Sequence, residues 1–315
     1  MFNFVYCLDE NYNKQCLSSI FSILENATFE CAFYIIHQDP KSFYPINKII
    51  LEHNYLKSIE LIKFEHPYKN FLGLNKTHVT EATYYRLFLS ELLPDDLDYV
   101  IYIDPDVICL NKFSKKIKQI ETTISKTNFS LAALTEDIEE MNGNGAQRLK
   151  LKNQKYFNAG VLFIELASWR KNQILENFKN ILDKEEKKIL LHDQDVMNLF
   201  FDGQYLEIEN KFNFTVPGSG KGYLRKIKKN NINDVIFIHF SGNKKPWNSK
   251  GVFSESSEFY RSNYEKLFRK KYHIDDRNSL KTLKFLIKVL KKGNIRDLKF
   301  PFHYVYYCIR SILKM

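Results

Sequence analysis

The sequence predicts an α/β fold with a sheet of nucleotide-binding type, formed by one large domain that is followed by a basic C-terminal segment. Three observations support this prediction. Strand and helix patterns alternate along the first 64 residues, an apolar strand near residue 100 ends in two acidic residues, and the excess positive charge lies at the end of the chain. Alternation of this kind produces right-handed crossovers and parallel strands, whose carboxyl ends bind ligands.

Length and composition indicate a globular protein. The chain has 315 residues, of which 44% are hydrophobic, so it can bury a sizeable core in one large or two small domains. It contains no run of about 18 to 20 apolar residues, and Met1 to Leu8 lacks a basic start, so we expect neither a membrane span nor a signal peptide. The expected location is the cytoplasm. Five widely spaced cysteines are typical of reduced core thiols, not of a disulfide framework or a zinc site: Cys7, Cys16, Cys31, Cys109 and Cys308.

The first segments read as alternating strands and helices. The predicted strands are Phe2 to Leu8, Cys31 to Ile36 and Ile59 to Phe64, and the predicted helices are Tyr12 to Leu24 and Ile46 to Tyr55. No Gly-x-Gly-x-x-Gly motif follows the first strand, which argues against a dinucleotide-binding turn. Asp9 and Asn11 occupy that loop instead. They could recognise a base or a ribose, or they could simply form the loop.

The strand from Tyr99 to Ile103 is the centre of the predicted fold. Its continuous apolar pattern is typical of a strand that is buried on both faces. Pro105 ends the pairing, so Asp104 and Asp106 stand one residue apart at the end of the strand. A divalent cation with oxygen ligands would relieve their repulsion. Two alternatives are a solvated turn and the Asp-x-Asp pattern of aspartyl-nucleophile phosphohydrolases.

Four further stretches carry candidate functional residues. Thr80 to Leu92 is a predicted helix in which Arg86 either extends along the surface or faces a ligand. Tyr156 to Ile164 places small residues before an apolar strand, where a ligand can approach the backbone. Asp193 opens a helix and could be its N-cap. Val235 to Phe240 is a strand that ends near His239. A fifth stretch, Pro217 to Gly222, lacks Walker spacing and is interpreted as a loop.

Together these stretches resemble glycosyltransferase family 8, which includes bacterial lipooligosaccharide galactosyltransferases and glycogenin. The family's motifs are matched in order, over about Met1 to Trp247, by these stretches: Asp9 to Tyr12, Thr83 to Leu87, Tyr102 to Val107, Tyr156 to Leu162, Asp193 to Asp195 and His239 to Trp247. The resemblance implies a GT-A fold, with a Rossmann-like mixed sheet in a single catalytic domain over residues 1–266. A binding protein without catalysis, similar in sequence to the transferases, is an alternative.

The resemblance also implies roles for individual residues. A manganese ion, with magnesium as the next candidate, would be held by Asp104, Asp106 and His239. The catalytic residues would be Gln194, Asp193, Lys245 and Arg86. The UDP-sugar donor would contact all of these residues and several others: Asp9, Asn11 and Val79 near the uridine, with Asp104 also near the ribose; Arg86, Asn158, Ala159, Gly160, Asp193 and Gln194 around the sugar; Lys245 at the diphosphate; and Gly242 as a further contact.

The implied reaction is transfer of a hexose from the UDP-sugar with retention of anomeric configuration. Galactose is favoured as the hexose and glucose is next. Gln194 is nearest the reacting carbon in the family, but an amide is a poor nucleophile. Front-face attack and double displacement both remain open.

The segment 267–315 predicts a peripheral interaction surface. It carries 13 Lys and Arg against 3 Asp, whereas the remainder carries 34 basic and 34 acidic residues. Leu280, Leu283, Ile287 and Leu290 share one helical face beside a stripe of lysines, which is typical of binding to an anionic membrane surface. A helix packed on the core with solvated lysines is the alternative, and the apolar content argues against nucleic acid.

We therefore expect a peripheral enzyme on the cytoplasmic face of the inner membrane with a glycolipid acceptor, namely lipooligosaccharide or lipopolysaccharide core. Deletion of Asp276 to Met315 is expected to release the protein from membranes and to leave UDP-sugar hydrolysis intact.

Overall fold

The computed structural model describes residues 1–66, 68, 80–136, 145–216, 232–242, 245–276 and 278–313. Val79 and the predicted loop from Pro217 to Gly222 lie outside these ranges. Ten strands are described: β1 Phe2–Leu8, β2 Cys31–His37, β3 Leu56–Lys63, β4 Tyr99–Ile103, β5 Val107–Cys109, β6 Leu131–Thr135, β7 Phe157–Glu165, β8 Leu206–Glu207, β9 Phe214–Thr215 and β10 Phe237–His239.

Helices connect the strands and cover both faces of the sheet. The α-helices of the described residues are α1 Asn13–Asn26, α2 Lys48–Leu51, α3 Leu89–Leu92, α4 Ser114–Ile124, α5 Gly145–Leu149, α6 Leu166–Lys171, α7 Ile174–Lys184, α8 His192–Phe201, α9 Ser257–Phe268, α10 Ser279–Lys292 and α11 Pro301–Leu313. Short 3-10 helices occupy Glu10–Tyr12, Pro40–Phe43, Glu81–Phe88, Glu186–Lys188, Asn210–Phe212, Ile232–Asp234, Gly251–Phe253 and Asn294–Asp297.

The main sheet has seven strands in the order β3-β2-β1-β4-β7-β6-β8. Strands β3, β2, β1 and β4 run parallel, whereas β7 runs antiparallel to both β4 and β6. A second sheet has the order β5-β10-β9. The predicted mixed, Rossmann-like α/β architecture is therefore confirmed. Because β4 continues through a turn into β5, the acidic end of β4 lies where the two sheets meet.

Two predicted helices differ from the structure. The helix expected from Ile46 to Tyr55 is wrong in length, because α2 spans only Lys48–Leu51 before a turn. The helix expected from Thr80 to Leu92 is a 3-10 helix over Glu81–Phe88 followed by α3. A 3-10 helix has three residues per turn, so side chains three positions apart point the same way. Thr83 and Arg86 both reach Asp193 in this manner.

The described cysteines are all free and buried, as the sequence predicted. Burial raises the pKa of the Cys31 and Cys308 thiols to about 12, so both stay protonated at neutral pH. These thiols act as small apolar side chains in the core.

The C-terminal residues form a helical hairpin of α10 and α11, which we call the C-terminal hairpin (residues 272–313). It has a small core of its own, made by Tyr272, Ile274, Leu286, Val289, Tyr304 and Cys308. Within the described ranges, no helix has the length and apolar character needed to cross a membrane.

Candidate functional site

A cluster of two carboxylates and one imidazole lies at the end of β4. One ligand atom from each of Asp104, Asp106 and His239 falls within 4.8 Å of the others. His239 Nε2 is 3.3 Å from Asp106 Oδ1 and 3.8 Å from Asp104 Oδ2. The structure thus brings together the three residues for which the sequence predicted a metal site.

Strand pairing positions these three side chains. The Asp104 N–H donates to the carbonyl of Gly160 on β7 at 2.8 Å, which fixes the turn after β4. Strand β10 pairs antiparallel with β5, with His239 opposite Val107. The Phe240 N–H then donates to the carbonyl of Asp106 at 3.1 Å. The imidazole therefore lies beside the two carboxylates because β5 and β10 are neighbours.

Gly160 lets the imidazole pack against the β7 backbone. A Cβ atom at this position would lie 2.2 Å from His239 Cε1, which is far inside van der Waals contact. Any other residue would displace the His239 ring from the carboxylates. The sequence predicted that small residues here let a ligand approach the backbone. At Gly160, the space is instead filled by the His239 ring.

Arg86 is a buried cation that joins two acidic residues. Its guanidinium lies 2.9 Å from Asp104 Oδ1 and 2.8 Å from Asp193 Oδ2, and it donates to the Ala159 carbonyl at 2.6 Å. Burial alone would lower the pKa of Arg86, but the charges of the two carboxylates raise it. Burial raises the pKa of Asp193, and the Arg86 charge and the Thr83 hydrogen bond partly offset this effect. Arg86 is thus not a surface residue.

Lys245 is the second cation of the site. Its ammonium group contacts Asp106 Oδ2 and donates to the carbonyl of Phe240 at 2.7 Å. Burial alone would raise the pKa of Asp106, but the charges of Lys245 and His239 outweigh burial and hold that pKa well below its usual range. Burial would lower the pKa of Lys245, but Asp106 raises it. Asp106 is therefore an anion over the physiological pH range.

A chain of side-chain amides determines the tautomer of His239. The Gly160 N–H can only donate, so the atom of Asn158 that it reaches at 2.9 Å is the oxygen. That oxygen also faces the amide of Asn213 at 2.9 Å, which must therefore donate through its nitrogen. The remaining oxygen of Asn213 lies 3.0 Å from His239 Nδ1, so Nδ1 carries a proton.

Because Nδ1 donates to Asn213, Nε2 is the ring nitrogen that faces the two carboxylates. Asp106 Oδ1 is buried, and no donor in the described part of the chain forms a hydrogen bond with it. The contact of 3.3 Å between Nε2 and Asp106 Oδ1 is favourable when a cation lies between the two atoms or when the imidazole carries a proton on Nε2. Two carboxylates and one imidazole match the ligand preferences of a divalent ion such as Mn²⁺. The described residues therefore fit a divalent metal.

Gln194 has both ends of its side-chain amide hydrogen-bonded. Its oxygen accepts the Ala159 N–H at 3.0 Å, and its nitrogen donates to the Tyr156 hydroxyl at 3.1 Å. Tyr156 donates in turn to Asp195, a fully buried carboxylate that Arg148 binds through two hydrogen bonds of 2.6 and 2.9 Å. Asp195 thus fixes Tyr156, and Tyr156 helps to fix Gln194.

The cluster of Asp104, Asp106 and His239, which we call the metal-ligand cluster, borders a cleft of about 780 Å³ that Asp104 and Asp106 line. Of the other predicted donor contacts, Asp9, Asn11 and Gly242 line this cleft. Asp9 is buried and accepts the Asn11 N–H at 3.0 Å, so its carboxylate closes the loop after β1. Asn158 and Ala159 participate in the hydrogen bonds given above, and Asn158 also donates to Glu136 at 2.8 Å. Residues of the C-terminal hairpin form the opposite side: Asp275, Asp276, Asn278, Lys281 and Thr282.

Sequence reasoning missed several residues of this site. Tyr102 donates to Asp104 Oδ1 at 2.5 Å, and it could have been found because residues two apart on a strand share a face. Asn213 had no comparable signal, since it lies 26 positions from His239 and on a different element. The hairpin residues that line the cleft were assigned only to a membrane-binding segment.

Comparison with known proteins agrees with this architecture. The sequence model of Glycosyl transferase family 8 matches residues 3–251. General stress protein A of Bacillus subtilis is 29% identical over 271 residues, covering 81% of this chain and 91% of that protein. Lipopolysaccharide 1,2-glucosyltransferase of Escherichia coli K12 is 30% identical over 268 residues, covering 82% of this chain and 76% of that protein. The chain belongs to glycosyl transferase family 8.

A solved structure shows the same fold. The galactosyltransferase LgtC, crystallised with donor and acceptor sugar analogues, superimposes with a TM-score of 0.67 at 22% identity, covering 84% of this chain and 96% of that chain. The predicted GT-A fold is therefore confirmed.

Substitution of Asn213 by leucine tests the amide chain. Asn213→Leu removes the acceptor for His239 Nδ1–H, so the imidazole loses its orientation. Loss of such an outer partner weakens metal binding roughly 10- to 100-fold. Titration with Mn²⁺, followed by electron paramagnetic resonance of the free ion, measures this change. The control is Asn210→Leu at an exposed position of the 3-10 helix that directly precedes Asn213, and equal affinities in the two variants would contradict the assignment.

Proposed function

We propose that the protein is a retaining, metal-dependent transferase that moves a hexose from a UDP-sugar donor to a glycolipid acceptor. The observation that carries the proposal is the cluster of Asp104, Asp106 and His239, whose ligand atoms lie within 4.8 Å of one another beside a cleft that Asp104 and Asp106 line. Mn²⁺ is the proposed ion, and Mg²⁺ is the next candidate.

The donor-binding surface supports a nucleoside diphosphate sugar. Asp9, Asn11 and Val79 are proposed near the uridine, and Gly242 and Lys245 near the diphosphate. Asp9 and Asn11 line the same cleft as Asp104 and Asp106. A carboxylate and an amide can accept and donate hydrogen bonds to a base or a ribose. Val79 is proposed from the family resemblance alone.

The chain's own residues can stabilise the charge that develops on the leaving group. Cleavage of the bond between sugar and phosphate leaves negative charge on the diphosphate oxygens. The ammonium of Lys245 is a fixed cation at this place, held by the carbonyl of Phe240 and by Asp106. A bound divalent ion would supply Lewis-acid stabilisation of the same oxygens. Lys245 would exchange part of its contact with Asp106 for the diphosphate.

The sugar would lie beside Arg86, Asp193 and Gln194. Asp193 is bound by Arg86 and Thr83, which gives it a fixed orientation toward sugar hydroxyl groups. The Gln194 oxygen already accepts a backbone N–H, which makes it a still poorer nucleophile. This arrangement favours front-face attack by the acceptor hydroxyl over double displacement through Gln194. The proton of that hydroxyl would pass to the leaving phosphate.

Two other functions fit part of the site. A phosphohydrolase would use the first aspartate of the Asp-x-Asp pair as a nucleophile, but Asp104 already binds Arg86 and Tyr102. A sugar-nucleotide-binding protein without catalysis would not need Lys245 and Gln194 in fixed positions. The family match also favours glycosyl transfer over both functions.

Turnover of UDP-sugars tests the enzyme proposal. We expect wild-type protein with Mn²⁺ to release UDP from UDP-galactose, from UDP-glucose or from both, the two donors that the family resemblance favours. Asp106→Asn and His239→Ala should reduce the rate to background, since each removes a metal ligand. Coupled detection of UDP measures the rate. No release from any UDP-hexose, or full activity of Asp106→Asn in EDTA, would refute the proposal.

The acceptor is proposed from the relatives and from the C-terminal hairpin. One relative is named for glucosyl transfer to lipopolysaccharide. Helix α10 exposes the apolar face that the sequence predicted, formed by Leu280, Leu283, Ile287 and Leu290, and Lys281, Lys284, Lys288 and Lys291 are exposed next to it. Helix α11 exposes a second apolar row of Phe302, Tyr306, Ile309 and Leu313.

This surface suits the headgroup region of an anionic membrane. Helix α10 packs on the hairpin core through Thr282, Leu286 and Val289 while its lysines stay exposed, so the alternative of a packed helix with solvated lysines fits that second face. The membrane proposal depends on the first face, whose apolar side chains are exposed in the described part of the chain. Each basic residue near an anionic leaflet contributes about 1 kcal/mol. We therefore place the enzyme on the cytoplasmic face of the inner membrane, with residues 267–315 as the membrane-binding segment, residues 1–266 as the catalytic domain, and a lipooligosaccharide or lipopolysaccharide core as acceptor.

A charge in the apolar face of α10 tests membrane binding. Ile287→Glu should lower the affinity for anionic vesicles by roughly tenfold or more, because one exposed aliphatic side chain can no longer enter the membrane. Leu51→Glu changes an equally exposed apolar residue on α2 and serves as the matched control. Sedimentation with vesicles that contain phosphatidylglycerol measures both affinities. Equal binding of the two variants would favour a soluble acceptor.

A further inference from the structure

The C-terminal hairpin holds the backbone of the turn that follows Lys245. The Ser249 N–H donates to both carboxylate oxygens of Asp276 at 3.2 and 3.3 Å, and the Ser249 carbonyl accepts the Tyr304 hydroxyl at 3.0 Å. The Trp247 carbonyl accepts the Asp275 N–H at 2.8 Å. Ser249 is buried, so these bonds satisfy backbone groups that water reaches poorly.

The turn itself is tight. The Asn248 N–H donates to the Lys245 carbonyl at 2.9 Å. Gly251 lies so close that a Cβ atom there would be 1.8 Å from the Lys245 carbonyl oxygen. Because this hydrogen bond and the close packing of Gly251 join Lys245 to the rest of the turn, we expect a shift of Ser249 to be passed on to the backbone of Lys245.

The hairpin residues that hold the turn are themselves fixed. The Asp276 carboxylate accepts the Thr282 hydroxyl at 2.7 Å at the start of α10, and the Asp276 N–H donates to the Ser311 hydroxyl at 3.2 Å near the end of α11. Tyr304 is fully buried in the hairpin core. Asp276 therefore links both helices of the hairpin to the turn.

We propose that Asp276 and Tyr304 are positioning residues of the donor site. They fix residues 247–250, and through this turn they hold the ammonium of Lys245 where it meets the diphosphate. The C-terminal hairpin is thus a structural part of the nucleotide cleft, although it lies beyond residues 3–251 that match the family. The identity of the ligand rests on the proposed function, whereas the link from the hairpin to the turn does not.

This proposal revises one expectation from the sequence. Deletion of Asp276 to Met315 would remove both positioning residues together with the membrane-binding face. We therefore expect that deletion to weaken donor binding as well as membrane binding, and it is not a clean test of either.

The test is removal of a single hydroxyl group. Tyr304→Phe removes the hydrogen bond to the Ser249 carbonyl and leaves the ring in the hairpin core. Tyr272→Phe is the matched control, because its hydroxyl accepts the Phe300 N–H within the same hairpin and does not contact the turn. By calorimetry with Mn²⁺ present, Tyr304→Phe should raise the Kd for UDP roughly threefold to tenfold, the value of one hydrogen bond. Tyr272→Phe should leave it unchanged.

A double-mutant cycle shows whether the effect passes through Lys245. In a Lys245→Ala background, Tyr304→Phe should cause no further loss of UDP affinity, since the group that it positions is absent. A merely structural role would weaken both backgrounds equally. Additive losses, or an unchanged Kd in Tyr304→Phe, would overturn the proposal.

Hydrogen exchange gives a readout that needs no ligand. Amides of residues 247–252 should exchange faster in Tyr304→Phe than in Tyr272→Phe, while amides of β1 keep their protection. Equal exchange in the two variants would overturn the positioning role. Failure of the wild-type protein to bind UDP would instead overturn the proposed function, so the two failures are distinguishable.

Discussion

The crowding of carboxylates at the end of β4 is the constraint on which the rest of the site depends. Asp104, Asp106 and Asp193 lie within one poorly hydrated region, where unpaired charges are costly. Arg86 offsets Asp104 and Asp193, and Lys245 offsets Asp106. Removing one partner of a buried ion pair costs about 3 to 5 kcal/mol, so these contacts hold separate parts of the chain together. These ion pairs bring together the 3-10 helix Glu81–Phe88, which carries Arg86, and the helix α8, which carries Asp193. They also join the segment that carries Lys245 to the end of β4.

The metal-ligand cluster is prepared before any ligand arrives. Hydrogen bonds that begin at the Gly160 N–H pass through two amides and end at His239 Nδ1, so Nε2 is the ring nitrogen that faces Asp104 and Asp106. The absence of a side chain at Gly160 admits the imidazole ring. Such preorganisation removes the cost of orienting the ligands when a metal binds.

Local patterns in the sequence predicted much of this structure. The apolar run before Asp104 identified the central strand, and the order of motifs identified the fold. Contacts between distant residues were not predictable, because Asn213 and His239 lie 26 positions apart and Ser249 and Tyr304 lie 55 apart. No periodicity encodes such pairs.

Helical periodicity was informative about α10 but incomplete. It identified the face of Leu280, Leu283, Ile287 and Leu290, which is exposed. The hairpin core uses the neighbouring stripe of Thr282, Leu286 and Val289. Both stripes have helical spacing, and only the position of the partner helix α11 determines which one is buried. The predicted helix from Ile46 to Tyr55 was too long, because apolar residues before and after α2 happen to have helical spacing although they lie outside the helix.

Metal-dependent binding of UDP tests the central claim most directly. Calorimetry of wild-type protein, first in EDTA and then with Mn²⁺, measures both stoichiometry and affinity. The account predicts one UDP bound per chain with Mn²⁺ and much weaker binding in EDTA, because the diphosphate would otherwise face Asp104 and Asp106 without a bridging cation. Equal UDP affinity with and without the metal would contradict it.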